Sequence, residues 1–258
     1  MANIHPLDSA LIDQIAAGEV IDRPASVLKE LIENSLDSGA NKIEIQISKG
    51  GHELIQVSDN GCGMNQDDLR LAFKRHATSK IQKLEDLNSI QTLGFRGEAL
   101  PSIASVSMVN ARSSEGDSNG FGIKINGSEE QYLKPVAGLP GTTIKVQNLF
   151  YNTPARRKFL KKPETEQAVI NSIMRRFMLS RPDVGFKMNP SLAKTRKGRG
   201  LLRDRYQTPL VTPSPAGRWV LRPSASRSGQ ESEEALSHKG RFSPSNQSIC
   251  ESRGWDLL

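Results

Sequence analysis

From Pro24 onward, Val27, Leu28, Leu31, Ile32 and Leu36 recur at the three-and-four spacing of a single helix face, which predicts a helix from about Pro24 to Ser38. Pro24 suits its first turn and Gly39 the position just past its end. The period then drops to two. Ile43, Ile45 and Ile47 alternate with polar residues as a half-buried strand, Lys49-Gly50-Gly51-His52 turns, and Leu54 to Val57 returns as a second strand. Gln66 to Phe73 reads as a short helix, and Leu87 to Leu93 as an apolar group ahead of the loop Gly94-Phe95-Arg96-Gly97. Pro101 is tolerated in the first turn of a helix running through Ile103 and Val106. Strands follow at Ser107 to Arg112, Gly120 to Asn126 and Thr142 to Val146. Val169, Ile170, Ile173, Met174 and Phe177 then mark an amphipathic helix within Pro163 to Ser180. Helix, hairpin and mixed elements make an α+β chain without internal repeats.

This periodicity stops near Met188. The predicted organisation is therefore a folded domain over residues 1–188 and a Ser-, Arg- and Pro-rich tail, expected to be disordered, over 189–258. The net charge of +7 suggests a polyanionic partner, but its distribution weakens that reading. The last 70 residues carry 12 Lys and Arg against 6 Asp and Glu, leaving 23 against 22 in the rest. Cys62 and Cys250 offer neither a disulfide framework nor metal-ligand spacing, which fits a reducing cytoplasm. Met1 to Ala10 has no signal-peptide pattern, and no stretch approaches the roughly 20 apolar residues of a membrane span, so no membrane partner is expected.

Glu30 and Asn34 stand four residues apart and so share one side of the first helix. Phosphoanhydride hydrolysis needs a base to deprotonate water and an oxygen ligand to hold Mg²⁺ against the phosphates, and this pair can supply both. A solvated helix face presents the same pattern. Asp59 ends the second strand in Asp59-Asn60-Gly61-Cys62-Gly63, where a carboxylate can accept from the exocyclic amine of adenine and Gly61 and Gly63 permit close backbone approach. An ordinary Asp-Asn-Gly turn is the alternative. Thr78, Ser79 and Lys80 offer hydroxyls and a cation, and Gly94 to Leu100, containing Phe95, Arg96 and Gly97, offers a glycine-hinged loop opening a helix. Thr142 and Thr143 after Gly141 can complete an adenine pocket or simply begin a strand. No Gly-x-x-x-x-Gly-Lys-Ser/Thr segment occurs, which excludes the ordinary P-loop. His5, His52, His76 and His238 lack metal-like spacing and read as structural or exposed.

Taken in order, Glu30 with Asn34, Asp59 to Gly63, Gly94 to Glu98 and Gly141 to Thr143 resemble the four motifs shared by the ATPases of gyrase, Hsp90, histidine kinases and MutL. Gln14 to Val20, Arg23 to Val27, Arg75 to Lys80 and Phe150 to Leu160 are similar to the MutL family of DNA mismatch-repair ATPases in particular. That resemblance, over about Ile4 to Met188, implies a two-layer α/β sandwich of the GHKL (Bergerat) type, with helices on one face of a mixed, mainly antiparallel sheet. It implies ATP and Mg²⁺ as cofactors, Glu30 as general base, Asn34 as Mg²⁺ ligand, Asp59 as adenine acceptor and Gly94 to Leu100 as a closing lid. It further implies slow ATP hydrolysis gating a homodimer through the arm Leu11 to Val20, a MutS-like mismatch sensor and DNA as partners, and a bacterial, nucleoid-associated location. A histidine kinase fits less well, because no substrate-histidine helix precedes the ATP motifs.

Past Met188 the resemblance ends. The family continues into a second domain that brings a lysine to the γ-phosphate, and Lys194, Lys197 and Lys239 lie in unpatterned sequence that assigns none of them this role. The abrupt change resembles a truncated or frame-shifted reading frame, with the strand near Val184 expected at an open sheet edge. A truncated adenine-nucleotide-binding fragment without turnover is the second reading of function.

Overall fold

The computed structural model describes residues 8–80, 92–94, 96–116, 120–190, 211–213 and 219–221. Helices α1 (Ser9–Val20) and α2 (Pro24–Asp37) lead into β1 (Lys42–Ser48), a 3-10 turn at Lys49–Gly51 and β2 (Leu54–Asp59). Helices α3 (Gln66–Leu71) and α4 (Ala99–Ser105) precede β3 (Met108–Ser114), β4 (Gly120–Asn126), β5 (Glu129–Val136) and β6 (Gly141–Gln147). Then come α5 (Pro154–Phe159), α6 (Pro163–Ser180) and β7 (Gly185–Pro190). Seven strands form one sheet in the order β5-β4-β3-β6-β2-β1-β7, with every neighbouring pair antiparallel except β1 and β7, which run parallel.

Strand alternation divides the sheet into two chemically different faces. Ile43, Ile45, Ile47, Ile55, Val57, Val109, Ala111, Ile123, Ile125, Ile144 and Val146 are buried on one side. The residues that alternate with them, Gln46, Gln56, Lys145 and Asn110, pair across the strands in one row along the other, polar side. Helix α2 closes the apolar face through Val27, Leu28, Leu31, Ile32 and Leu36, and α6 adds Ile170 and Met174. Each fully buried aliphatic side chain contributes roughly 1.5–3 kcal/mol, so this two-layer core dominates stability. A second join is ionic. Glu166 of α6, only 2 % exposed, accepts from Arg23 at the start of α2 and from the Lys161 N–H.

The α+β sandwich expected from the sequence is the fold observed. Helix α2 ends in an αL turn at Gly39 (φ 76°), where the Gly39 and Ala40 N–H groups cap the Leu36 and Ser35 carbonyls. β4 and α6 occupy the predicted ranges. Within residues 1–188 three elements were not anticipated: α1, α5 and β5. β5 is an edge strand of mostly exposed residues, and α5 buries none of its own, so neither shows an apolar period. β7 forms the opposite edge and runs to Pro190, two residues past Met188. Within the stretch read as unpatterned, Val211–Pro213 (β8) and Trp219–Leu221 (β9) pair antiparallel. The apolar group Leu87 to Leu93 lies mostly outside the described residues.

Candidate active site

Helix α2, the end of β2 and the start of β6 surround a cavity of about 1090 Å³. Glu30 and Asn34 line it from α2, as the four-residue spacing requires, with Asp59 and Gly63 from the turn after β2. Thr78, Ser79 and Lys80 line it on another side, with Gly94, Arg96, Gly97 and Leu100 nearby and Thr142 from β6. Segments more than a hundred residues apart in sequence therefore meet around one space.

Asp59 has the most elaborate support. Its Oδ1 accepts the N–H groups of Gly61 at 3.0 Å and Thr142 at 3.1 Å, and its Oδ2 accepts the Ser35 hydroxyl at 2.8 Å. Burial pushes its carboxyl up from the ordinary carboxylate value, while these three hydrogen bonds pull it the other way. The turn that carries it is equally constrained. Gly63 has φ 76°, and a Cβ there would overlap the Ser114 carbonyl oxygen. Asn60 pins the same turn to the start of β1, its Oδ1 accepting from Lys42 N at 2.8 Å and Asn41 N at 3.1 Å.

On α2, Glu30 is 26 % exposed, and its Oε1 lies 3.3 Å from the Lys29 ammonium, which also bonds Glu33 at 2.8 Å. Asn34 Oδ1 accepts from Lys80 Nζ at 3.0 Å, and the same ammonium is 2.6 Å from Asp37 Oδ2. The Lys80 N–H bonds Thr78 Oγ1 at 3.2 Å, tightening that turn.

Two anticipated residues stand apart from the cavity and one is not placed. Thr143 faces the other side of the sheet, where its hydroxyl donates to Ser58 Oγ at 3.1 Å, because neighbouring strand residues point to opposite faces and Thr142 takes the inward position. Gly61 does not line the space, and a Cβ on it would overlap the Ser38 hydroxyl. Phe95 lies outside the described residues. Conversely, Ser35, Asp37 and His76 line the cavity without having been singled out as site residues. Asp37 was detectable, since Glu30, Asn34 and Asp37 continue the same helical spacing.

The class these features define is that of the "Histidine kinase-, DNA gyrase B-, and HSP90-like ATPase", whose family model matches residues 22–146. Solved structures agree: the chain is similar to the Aquifex aeolicus MutL ATPase domain complexed with ADP (34 % identity, TM-score 0.52, 66 % of this chain and 61 % of that one). It also resembles the N-terminal domain of a DNA repair protein (26 % identity, TM-score 0.60, 69 % and 52 % covered). Among sequences, the DNA mismatch repair protein MutL of Actinobacillus pleuropneumoniae is 54 % identical over 187 residues, covering 72 % of this chain. That of Desulforamulus reducens is 49 % identical over 207 residues, covering 79 %. Through this N-terminal region the chain belongs to the MutL family, and its fold is the GHKL ATPase fold. The chain spans about a third of the length of these relatives, 30 % of the first and 32 % of the second.

Proposed function

We propose that the N-terminal part of the chain, through the end of β7, forms an ATP-binding and slowly hydrolysing domain of a MutL-like mismatch repair protein, with the residues beyond it a separate tail. The observation that carries this reading is the convergence of Glu30, Asn34, Asp59, Gly94, Arg96 and Gly97 on one cavity. In it, Asp59 accepts from the adenine amine, Glu30 takes the proton of the attacking water, and Arg96 and Lys80 face the phosphates.

A metal suits the donor set. Asn34 Oδ1 already accepts a cation, the Lys80 ammonium, beside the Glu30 carboxylate and the Asp37–Lys80 ion pair. Among the described residues no group of three or more His, Cys, Asp or Glu could hold a metal. Asn34 would therefore be one protein ligand, with phosphate and water oxygens completing the shell. Bound Mg²⁺ would neutralise developing phosphate charge. The residues themselves orient the nucleotide, exclude water from the adenine end and hold the base.

The resulting switch is ATP-gated association of two copies that links mismatch recognition by a MutS-like sensor on DNA to downstream repair. Helix α1 supports this part: Glu19 and Val20 reach the cavity, while Ile12 and Ile15 are about half exposed, at 47 % and 50 %. Arg156 holds the helix, its guanidinium donating to the Ile15 carbonyl at 3.3 Å.

Calorimetric titration with a non-hydrolysable ATP analogue and Mg²⁺ tests the proposal, with Asn34→Ala alongside. Mg²⁺-dependent binding that weakens in Asn34→Ala is expected. Absence of binding in a folded sample would overturn the assignment; binding of the analogue with no phosphate released from ATP in a parallel assay would reduce the function to a nucleotide-binding module.

A further inference from the structure

Asp37 occupies a position that helix energetics alone do not favour. It is the last residue of α2, where the helix dipole disfavours a carboxylate, and α2 has no basic residue in its last turn to offset it. The offsetting cation comes from elsewhere in the chain. Lys80 Nζ lies 2.6 Å from Asp37 Oδ2 and 3.0 Å from Asn34 Oδ1, with only 19 % and 10 % of the Lys80 and Asp37 side chains exposed. The same carboxylate accepts the Leu93 N–H at 3.1 Å and the Gly94 N–H at 3.4 Å. One side chain thus ties both the Thr78 to Lys80 turn and the start of the glycine loop to the helix turn that carries Asn34.

Resting on the nucleotide reading above, we infer that Asp37 is a positioning residue that sets Lys80 as a resident cation on the Asn34 carbonyl oxygen, so that Lys80 and Mg²⁺ compete for that oxygen. An inner-sphere Mg²⁺ stands about 2.1 Å from its ligand oxygen. An ammonium hydrogen-bonded to the same atom would then sit within a few ångströms of a divalent charge, a strong repulsion in a partly desolvated site. Metal loading therefore requires Lys80 to leave Asn34. Its tether to Asp37 keeps the ammonium in the cavity, where the phosphates of the nucleotide become its partner. Lys80 thereby sets how much Mg²⁺ the site needs, in addition to contributing charge.

The test is calorimetric binding of ADP by the full chain across a series of Mg²⁺ concentrations, with Lys80→Met, Lys80→Arg and Asp37→Asn compared. Lys80→Met removes the competitor. It is expected to lower the Mg²⁺ concentration for half-maximal effect about tenfold, the scale of one hydrogen bond from a charged donor, while weakening ADP binding in the presence of a chelator. Lys80→Arg keeps a cation and should keep the Mg²⁺ requirement of the unmutated chain. Asp37→Asn loosens the ammonium and should shift the requirement in the same direction as Lys80→Met, which preserves the test if either variant fails to fold. An unchanged Mg²⁺ requirement in a folded Lys80→Met or Asp37→Asn protein overturns the inference. Absence of ADP binding in the unmutated chain overturns the nucleotide reading itself, so the two failures are separable.

Discussion

The Ser35 hydroxyl donates to Asp59 Oδ2 at 2.8 Å, joining the last turns of α2 to the end of β2 at the floor of the cavity. Ser35 Oγ also lies 3.1 Å from the Leu31 carbonyl oxygen, so a single hydroxyl proton faces two acceptors. An amide at position 59 would remove this conflict. Its Oδ1 would keep the Gly61 and Thr142 N–H groups, its Nδ2 would donate to Ser35 Oγ, and Ser35 would donate to Leu31. Asp59→Asn is therefore expected to fold with every partner satisfied.

Asp59 itself should carry a pH effect of the reverse of the usual carboxylate sign, and the substitution should abolish it. Burial raises the Asp59 carboxyl in the folded state, so the folded chain binds its proton more tightly than the unfolded chain does. The ionised carboxylate then costs stability, and the cost appears as pH rises from the unfolded value of about 3.9 through the raised folded value. Thermal unfolding should show Asp59→Asn at least as stable as the unmutated protein at pH 7, with the difference vanishing under acid conditions. A destabilised Asp59→Asn at neutral pH would mean that the carboxylate is needed by the fold.

Nucleotide binding should respond in the opposite direction. The Gly61 and Thr142 N–H groups fix the amide oxygen, so an Asn side chain would turn its N–H toward the adenine amine. Affinity should fall by about 1.5–3 kcal/mol, the worth of a charged hydrogen bond. Titration of both proteins with ADP measures it, and equal affinity, or equal competition by a guanine nucleotide in the unmutated chain, would remove Asp59 as the adenine reader.

Much of this site could be read in advance because local periodicities carried it. The helical spacing of α2 placed Glu30 and Asn34 on one face, and the alternation of β1 and β2 delivered Asp59 to the end of a buried strand. Thr142 and Thr143 show where local pattern runs out. Which of two adjacent strand residues faces inward depends on register, here Ser113 opposite Thr142 and Ser58 opposite Thr143, and that pairing is set by strands remote in sequence. The hold of Asp37 on Lys80 and Leu93 was invisible for the same reason, since it joins segments 43 and 56 residues apart. β5 gave no signal because an exposed edge strand needs no apolar face.

Glu30→Ala should separate binding from turnover. The Glu30 carboxylate is 26 % exposed and bonds the neighbouring Lys29 ammonium, and Glu30 is not among the buried core residues. Removing it should leave ADP affinity within a factor of a few, while phosphate release falls by at least about a hundredfold, the lower end of general-base contributions. Matching losses of affinity and turnover would show instead that Glu30 shapes the cavity.

Glu166 offers a test of the fold that leaves the cavity untouched. It is 2 % exposed, receives Arg23 through Nη2 at 3.1 Å and Nε at 3.2 Å, and accepts the Lys161 N–H at 3.2 Å. Breaking a fully buried ion pair by deleting one partner costs about 3–5 kcal/mol, but Arg23 keeps 28 % exposure and can recover some hydration. Glu166→Ala should therefore lower the urea unfolding free energy by about 2–3 kcal/mol. Glu166→Gln, which retains an acceptor for both donors, should cost less. Because the pair clamps the first turn of α2 to α6, hydrogen exchange should quicken first at Ser26 and Val27, whose N–H groups bond the Arg23 carbonyl. Uniform acceleration across the sheet at equal denaturant would show that Glu166 acts through global stability and not through this joint.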